Sequence, residues 1–410
     1  MQAQPNDQED ALLHGLTVLD LSQGIAGPYC GMVLRQQGAR VIKIEPPGGD
    51  WARQMGRVRD GHTAISIAYN AGKESVVLDA RTPEGRTALR RLVEKADIVI
   101  QNFRPGVAER MGVGYAELTA ANPRLVYVSI SGYGPDGPAS GLPALDTTMQ
   151  AVSGLMHVNR DAAGKPRRIG FFLVDLATGL YAAQNVGVAL YRAALTGRGR
   201  HVQVSMLQTS AALQSYVVLD DALFPGDESA VFNAPTGLFE TANGTLYVSM
   251  LNDAMFERLA RTLGFDDWLA DASLRTSAGR MPRAAELNQR VASMLIMNTL
   301  EHWEGLLADN DVLFGRVGHP RDLRTHPQAR HVGLFTPLDQ PAVGELPWAG
   351  VPGNGSFQAP LRSASLSSGF LLSHSGQAVR VGLRQTPKPC SRLQVGQVHR
   401  LGAQLLRPRA

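Results

Sequence analysis

Three short segments carry residue types that could do chemistry. The first is the turn Gly24-Ile25-Ala26-Gly27-Pro28, which follows an apolar run and precedes a helical stretch. Backbone N–H groups at the beginning of a helix suit a phosphate or pyrophosphate. The spacing is not GxGxxG, so a turn that merely connects a strand to a helix stays an alternative. Glu45 ends the next apolar run, where a ribose-binding acid would lie in a dinucleotide-binding protein.

The second segment is Asn102-Phe103-Arg104-Pro105-Gly106, directly after another apolar run. In an open α/β sheet, a loop at the carboxyl end of a strand lies at the ligand-binding edge. There Arg104 can hold a phosphate through two parallel hydrogen bonds. A solvated loop arginine is the alternative.

The third is Asp175, which ends the apolar run 169–174 and opens an apolar helical pattern over 176–190. One interpretation is a helix N-cap, a common role for aspartate before an apolar helix. The other is a carboxylate nucleophile, because a helix N-terminus keeps a carboxylate ionised in apolar surroundings. The two roles are compatible.

Other catalytic patterns are missing from the sequence. It contains no GxSxG motif and no P-loop. His319, His326 and His331 have no zinc-like partners at suitable spacing, and neither Cys30 nor Cys390 belongs to a CxxC pair. Serine-hydrolase chemistry is disfavoured, and no metal is expected.

Alternating apolar runs and helical stretches predict how these segments are positioned. Helices between short apolar runs indicate the crossovers of a parallel, doubly wound α/β sheet. Thr82–Glu94 is one such helix, with Thr82 as N-cap and Pro83 at its first position. The predicted strands are Leu16–Leu21, Val41–Ile44, Ser75–Leu78, Asp97–Ile100 and Leu125–Ile130.

A second pattern begins near residue 225. Gly237–Glu240 and Thr245–Met250, joined by Asn243-Gly244, predict a hairpin. Helical patterns follow at Asp253–Leu263 and Ala284–Ala308. We therefore expect a large domain over 12–200, a linker over 201–224, a smaller α+β domain over 225–325, and a return to the large domain over 326–410.

Composition narrows the class of protein. A length of 410 residues suggests two domains or an elaborated α/β unit, and 44% apolar and 19% charged residues are ordinary for a globular protein. Its start is polar, its longest strongly apolar stretch (169–180) is shorter than a membrane span, and its two cysteines fit a reducing compartment. No Asp or Glu follows Glu345, so the net charge of +4 comes from a basic tail. We expect a cytoplasmic protein that binds neither membrane nor nucleic acid.

Taken together and in order, the segments resemble family III CoA-transferases, the group that includes formyl-CoA and carnitine CoA-transferases and is related to α-methylacyl-CoA racemase. The likeness covers roughly residues 12–345. The matching pieces are Leu16–Leu21, Ala26–Pro28, Gly38–Glu45, Leu78-Asp79, Thr82–Gly85, Asn102–Gly106, Arg110–Gly112, Ser131–Gly134, Thr196–Gly199 and Asn252-Asp253.

The resemblance implies a Rossmann-like large domain, a small domain and a homodimer of interlocked ring-shaped subunits. It implies that Asp175 is the nucleophile, attacking an acyl-CoA donor to give a mixed anhydride and then an aspartyl-CoA thioester, from which CoA passes to an acceptor carboxylate. Coenzyme A enters as a substrate thioester, and no metal is needed. The implied CoA contacts are Ile25, Ala26, Lys73, Arg104 and Arg110.

Two departures from the family pattern matter. The racemase has a proton-transferring histidine where this sequence has Leu145, and leucine cannot remove an α-proton, so a transferase is favoured over a racemase or epimerase. The tail over 361–410 lacks the acidic segment usual in the family, and we expect it to pack differently. Further alternatives are a nicotinamide-dependent dehydrogenase and an acyl-CoA-binding protein without turnover.

Overall fold

The computed structural model describes residues 11–161, 163–226 and 233–353, and the backbone of 370–372 and 378–380. The chain divides into two compact units, residues 1–215 with 334–410, and residues 216–333. The second unit is therefore wider than the small domain expected over 225–325. The expectation for the tail over 361–410 lies outside the described residues, apart from the backbone of two short strands.

The first unit is built on a six-stranded sheet in the order β3-β2-β1-β4-β5-β6. All neighbouring strands in it are parallel. Each strand is short and rich in β-branched residues, as buried parallel strands are. The strands are β1 (Thr17–Asp20), β2 (Arg40–Glu45), β3 (Glu74–Val77), β4 (Ile98–Gln101), β5 (Val126–Ser131) and β6 (His201–Ser205).

Both faces of this sheet are covered. Successive strand residues point to opposite faces, so Val18 and Leu19 belong to different apolar clusters. The cluster on one face takes in Cys30 and Val186 from two helices, and the cluster on the other takes in Leu89. The parallel α/β architecture predicted from the sequence is confirmed.

The helices begin where the sequence provides start signals. The hydroxyl of Thr82 accepts a hydrogen bond from Gly85 N at 3.0 Å, as the predicted N-cap should. The helices of this unit are α1 (Ala26–Gln36), α2 (Ala64–Ala68), α3 (Pro83–Val93), α4 (Val107–Arg110), α5 (Tyr115–Ala121), α6 (Asp146–Val152), α7 (Leu155–Val158), α8 (Leu173–Thr196) and α9 (Met206–Leu213); α10 (Ser215–Leu223) begins at its boundary.

Helix α8, with 24 residues, is long and apolar enough to cross a membrane by length and composition. The apolar stretch is thus longer than the sequence pattern indicated. However, 44% of its most apolar window is buried inside the protein, and core helices pass the same test. Val174, Ala182 and Val186 are fully buried, so one side of α8 belongs to the core.

The second unit is α+β. The predicted hairpin is confirmed, with Gly237–Glu240 paired antiparallel to Thr245–Val248. The helical pattern over 284–308 forms two helices rather than one, because Thr299 caps a new start. The elements are β7 (Gly237–Glu240), β8 (Thr245–Val248), β9 (Phe314–Arg316), α11 (Asp253–Leu263), α12 (Asp266–Ala270), α13 (Ser277–Arg280), α14 (Ala284–Leu295), α15 (Leu300–Asp309) and α16 (Pro327–His331).

After residue 334 the chain returns to the first unit as two antiparallel pairs. Leu338 and Trp348 of the first pair lie in the apolar cluster that also contains α1 and α8. The strands are β10 (Phe335–Gln340), β11 (Gly344–Ala349), β12 (Phe370–Leu372) and β13 (Ala378–Arg380).

Candidate active site

The turn after β1 presents free backbone at the beginning of α1. Gly24 has a φ of +81°, and a Cβ there would lie 2.1 Å from the Trp51 ring, so only glycine fits. Ile25 is the N-cap residue of α1 and makes no side-chain cap hydrogen bond. Ile25 and Ala26 are both 3% exposed. No side chain of the N-cap residue therefore occupies the first N–H groups of α1, which can donate to an anionic ligand that reaches this turn.

Asn102 ties the loop after β4 to this turn. Its Oδ1 accepts a hydrogen bond from Gln23 N at 2.8 Å, and its Nδ2 donates to Gln23 O at 2.7 Å. Strands β1 and β4 are neighbours where the strand order changes direction, the usual ligand site of such sheets. The two predicted ligand segments are thus adjacent, and their relative position is fixed by one amide side chain.

Arg104 and Arg110 lie on this second loop and at the end of α4. Gly106 begins α4 in a left-handed conformation, with a φ of 79°. Arg110 folds back over it, since a Cβ on Gly106 would lie 3.0 Å from the Arg110 guanidinium. Both arginines are exposed, and neither forms an ion pair with another described residue. Both can therefore meet the phosphates of a ligand.

Lys73 is buried and does not lie at the surface where a ligand would be contacted. Its ammonium is 1% exposed and donates to Asp20 Oδ2 at 2.8 Å, Pro28 O at 2.7 Å and Asn70 Oδ1 at 3.0 Å. All three of its hydrogens are used inside the protein. Burial lowers the pKa of Lys73 to about 8, although the charge of Asp20 opposes the fall. The structure makes Lys73 a support beneath the turn and corrects its predicted position at the ligand.

A second lysine completes this buried cluster. Lys43 lies 3.0 Å from Asp50 Oδ2 and also donates to Ser22 O. Burial alone would raise the pKa of Asp20, but the charges of Lys43 and Lys73 outweigh it and hold that pKa below its ordinary value. Asp50 Oδ1 in turn accepts from Gly24 N at 2.9 Å. The cluster therefore fixes the glycine turn from below.

Glu45 is occupied by protein partners. Its carboxylate accepts from Arg53 Nε at 2.8 Å, Ser75 Oγ at 2.7 Å and Asp50 N at 2.9 Å. Burial would raise the pKa of Glu45, but Arg53 outweighs burial and lowers it to about 2. Glu45 is 1% exposed. A nicotinamide-dependent dehydrogenase would need this acid on a ribose, so the structure removes the residue on which that alternative rested.

Asp175 lies inside the first turn of α8, which begins at Leu173, so the N-cap interpretation is wrong. The side chain is partly buried and keeps some exposure. Burial raises the pKa of Asp175 to about 7, and the negative charge of Asp146 adds to the rise. A carboxylate with this pKa changes its charge near neutral pH, a property typical of catalytic groups.

The beginning of α8 packs directly on the beginning of α1. A Cβ on Gly179 would lie 2.6 Å from Ala26 O and 3.2 Å from Cys30 N. Asp175 is four residues before Gly179 and so lies on the same face of α8, one turn nearer its N-terminus. Tyr69 is also close, since its pKa is raised to about 12 by burial and by the charges of Tyr29, Asp175 and Asp146. The structure therefore brings Asp175 and the Ile25-Ala26 turn into one corner.

Sequence reasoning missed Asp146 as a member of this corner. Its Oδ2 accepts hydrogen bonds from Val174 N at 2.8 Å and Asp175 N at 3.0 Å, so Asp146 is the residue that caps α8. The sequence signal is the four-residue spacing of Asp146 and Gln150, which places both on one face of a helix, whereas their burial is known from the structure alone. Leu145, the position that the resemblance matches with the racemase histidine, is the exposed N-cap residue of α6.

Among residues 11–353 outside the gaps, no group of three His, Cys, Asp or Glu side chains is arranged to hold a metal ion. Ligand contacts at this edge would come from backbone N–H groups of α1 and from Arg104 and Arg110. Asp175 places a carboxylate, a group able to act as an oxygen nucleophile, in the same corner.

Comparison with known proteins identifies the family. The model of CoA-transferase family III matches residues 13–364. The succinate–glutarate CoA-transferase of Agrobacterium fabrum is 31% identical over 364 residues, 85% of this chain and 90% of that protein. The acetyl-CoA:oxalate CoA-transferase of Acetobacter aceti is 34% identical over 296 residues, 70% of this chain and 76% of that protein.

A comparison with solved structures gives the same family. A CAIB/BAIF family protein from Brucella suis has a TM-score of 0.75 and 30% identity, covering 86% of this chain and 94% of that one. The chain belongs to CoA-transferase family III and is an enzyme of that class, which confirms the resemblance drawn from the sequence.

Proposed function

We propose that this protein is an acyl-CoA:carboxylate CoA-transferase with Asp175 as its nucleophile. One observation carries the proposal: a partly buried carboxylate with a pKa near 7 lies in the first turn of α8, where that helix packs on the Ile25-Ala26 turn. Membership of a family of CoA-transferases supplies the reaction class.

The chemistry is a series of acyl exchanges. The Asp175 carboxylate attacks the thioester carbon of the donor. The C–S bond breaks, CoA departs as its thiolate, and a mixed anhydride of Asp175 and the donor acid remains on the enzyme. The thiolate then attacks the aspartyl carbonyl, which releases the donor acid and forms an aspartyl-CoA thioester. The acceptor carboxylate attacks this thioester, which breaks its C–S bond, releases CoA thiolate and forms a second mixed anhydride. The thiolate then attacks the acceptor carbonyl of that anhydride, which gives the new acyl-CoA and frees the Asp175 carboxylate. Every step exchanges one activated acyl group for another, provided that water is excluded from the anhydride.

Coenzyme A is proposed to lie along the edge formed by the carboxyl ends of β1 and β4. The N–H groups at Ile25 and Ala26 suit a phosphate, and Arg104 and Arg110 suit the charged nucleotide end. Lys73 supports the turn from below. The sheet order β3-β2-β1-β4-β5-β6 is that of Rossmann-like folds, and we extend the proposal to that fold family.

A transferase is favoured over a racemase of the same superfamily by one position. Leu145 stands where the racemase has a proton-transferring histidine, and the Leu145 side chain has no group that titrates. A single carboxylate suffices for acyl exchange, whereas racemisation needs a base on each side of the α-carbon.

A second copy of the chain is the proposed partner. Leu180, Val188, Tyr191 and Leu195 are all exposed and lie on one face of α8, opposite the side that enters the core. An exposed apolar stripe of this size marks an interaction surface. We expect a homodimer in sedimentation analysis and a monomer when Val188 and Tyr191 are both replaced by glutamate. A cytoplasmic location remains part of the proposal, because two cysteines in 410 residues fit a reducing compartment.

The experiment that tests the function is a crossed panel. Succinyl-CoA and acetyl-CoA, with glutarate, oxalate and succinate as acceptors, follow from the names of the two relatives. Mass analysis should find a new acyl-CoA in a time-dependent yield with at least one pair, and none with Asp175→Asn. If wild-type protein hydrolyses donors at the same rate with or without acceptor, or epimerises a branched acyl-CoA instead, the proposal is wrong.

A further inference from the structure

The first turn of α8 depends on a residue from another helix. Phe172, the N-cap residue, offers no side-chain hydrogen bond. Asp146 of α6 replaces it, because a single oxygen, Oδ2, accepts from Val174 N at 2.8 Å and from Asp175 N at 3.0 Å. The backbone that carries the proposed nucleophile is thus held by the carboxylate beside it.

Gln150 holds the segment that enters α8. Its Nε2 donates to the second oxygen of Asp146 and, at 3.4 Å, to Phe171 O. Its Oε1 accepts from Ile169 N at 2.8 Å. Asp146 and Gln150 are 3% and 1% exposed. Every polar atom of the two side chains therefore bonds either to the other or to the backbone between residues 169 and 175.

We propose that Asp146 and Gln150 act as a positioning pair for Asp175, with Asp146 fixing the backbone at the nucleophile and placing a negative charge beside it, and Gln150 fixing only the approach to it. The inference rests on the proposed function insofar as Asp175 is the nucleophile. Both side chains are buried and bond only to each other and to the backbone over 169–175, so we expect their effects to pass through Asp175.

The two residues differ in electrostatics. Asp146 brings a negative charge near Asp175 and, after burial, is the second cause that raises the pKa of Asp175 to about 7. Gln150 brings no charge. The other titratable groups at the corner are Tyr69 and Tyr29, whose pKa values are both raised, so both stay neutral between pH 5 and 9. The tyrosines therefore do not contribute to a titration that is followed at the Asp175 carboxyl near pH 7. Lys73, with a pKa of about 8, lies beneath the α1 turn and is paired with Asp20.

The test compares Asp146→Asn and Gln150→Leu in the full chain. Asp146→Asn keeps an acceptor oxygen for the α8 backbone, removes the charge, and turns an NH2 group toward Gln150 in place of the second acceptor. Gln150→Leu removes the hydrogen bonds and keeps the charge. Gln214→Leu is the matched control, because Gln214 Nε2 donates to Ser153 O at 2.7 Å and so ties the end of α6 to another segment away from Asp175.

Two readouts are taken from each protein. One is the dependence of kcat on pH for the best donor and acceptor pair. The other is the titration of side-chain carboxyl carbons by NMR after labelling with ¹³C-aspartate, with the Asp175 signal assigned by its loss in Asp175→Asn. The second readout does not require activity.

For Asp146→Asn we expect the Asp175 titration and the acid limb of kcat to move down by about one pH unit. For Gln150→Leu we expect kcat to fall about tenfold, with KM for the acyl-CoA within about threefold and the titration midpoint unchanged. Gln214→Leu should match wild type in kcat and midpoint.

The inference is overturned if Asp146→Asn leaves the Asp175 midpoint in place, or if Gln150→Leu moves it as far as Asp146→Asn does. It is also overturned if Gln214→Leu reproduces the loss seen in Gln150→Leu, since α6 would then act only through general stability. If the midpoint moves as expected but wild-type protein transfers no CoA, positioning stands and the proposed function fails.

Discussion

Two carboxylates of the first unit, Asp20 and Asp175, have opposite surroundings. Asp20 ends β1 and is 0% exposed, with two lysine ammonium groups beside it. Asp175 lies in the first turn of α8, and the charge that shifts its pKa is that of another carboxylate, Asp146. The lysines outweigh burial and lower the pKa of Asp20, whereas burial and Asp146 both raise the pKa of Asp175.

This difference indicates different roles: Asp20 stabilises the structure, whereas Asp175 is available for chemistry. A buried carboxylate paired with cations stays ionised and holds one arrangement of the chain. A partly buried carboxylate that has no cation beside it is not stabilised in its ionised form. It therefore titrates near neutral pH and stays available for reaction. The buried cluster of Lys43, Lys73, Asp20 and Asp50 fixes the glycine turn that would bind CoA. Asp146 holds the backbone at Asp175, the carboxylate that would attack the thioester.

The largest expected effect is at Asp175 itself. Asp175→Ala should lower the transfer rate by at least about 10⁴-fold, because the oxygen that forms the anhydride is gone. Affinity for CoA should stay within about tenfold, or about 1.4 kcal/mol, since no proposed CoA contact changes. Steady-state rates and calorimetric binding measure the two quantities. Substantial transfer by the variant would contradict the role of Asp175.

The second-largest expected effect is a loss of stability at the buried cluster of Lys43, Lys73, Asp20 and Asp50. Lys73→Met leaves a buried negative charge short of a partner, and we expect the free energy of unfolding to fall by about 3–5 kcal/mol. Denaturant unfolding measures it, with Lys95→Met, at an exposed position, as the control that should change little. If Lys73 contacted CoA directly, Lys73→Met would instead raise KM for the acyl-CoA and leave the free energy of unfolding unchanged.

The pH dependence of stability compares the two carboxylates directly. The pKa of Asp175 is about 7 in the folded protein and about 3.9 when unfolded, so its contribution is present at low pH and lost as pH rises through 7. At pH 8.5, Asp175→Asn should be more stable than wild type by about 2–4 kcal/mol, and at pH 5 the difference should shrink. A constant difference across this range would mean that Asp175 has an ordinary pKa.

A smaller effect is expected at the exposed edge. Arg104→Ala should raise KM for the acyl-CoA about tenfold and leave kcat within about twofold, because the guanidinium meets a distant phosphate. Arg124→Ala, at the opposite end of the sheet before β5, serves as the control. A loss confined to kcat would show that Arg104 acts on the reacting groups instead.

Local signals in the sequence predicted much of this fold. The run from Leu16 to Glu45 gives β1, α1 and β2 within a few residues, since apolar periodicity, a glycine turn and Pro28 all lie in neighbouring positions. The start of α3 at Pro83 follows from its Thr82 cap in the same way.

The features that sequence missed depend on distant contacts. The cap of α8 comes from Asp146, 29 residues before Asp175, and no helix-start rule covers a cap donated by another helix. Lys73 meets Asp20 across 53 residues, so its burial could not be read from its neighbours. The nucleophile itself was assigned through family resemblance, because a cap and a nucleophile look alike in the local pattern.

The most direct measurement is to trap the covalent intermediate. Wild-type protein is incubated with a donor acyl-CoA, quenched with hydroxylamine and digested, and the peptides are read by mass. The account predicts a hydroxamate at Asp175, formed as hydroxylamine displaces CoA or the acyl group, and at no other carboxylate. A hydroxamate at another acid, or turnover with Asp175 unmodified, would contradict it.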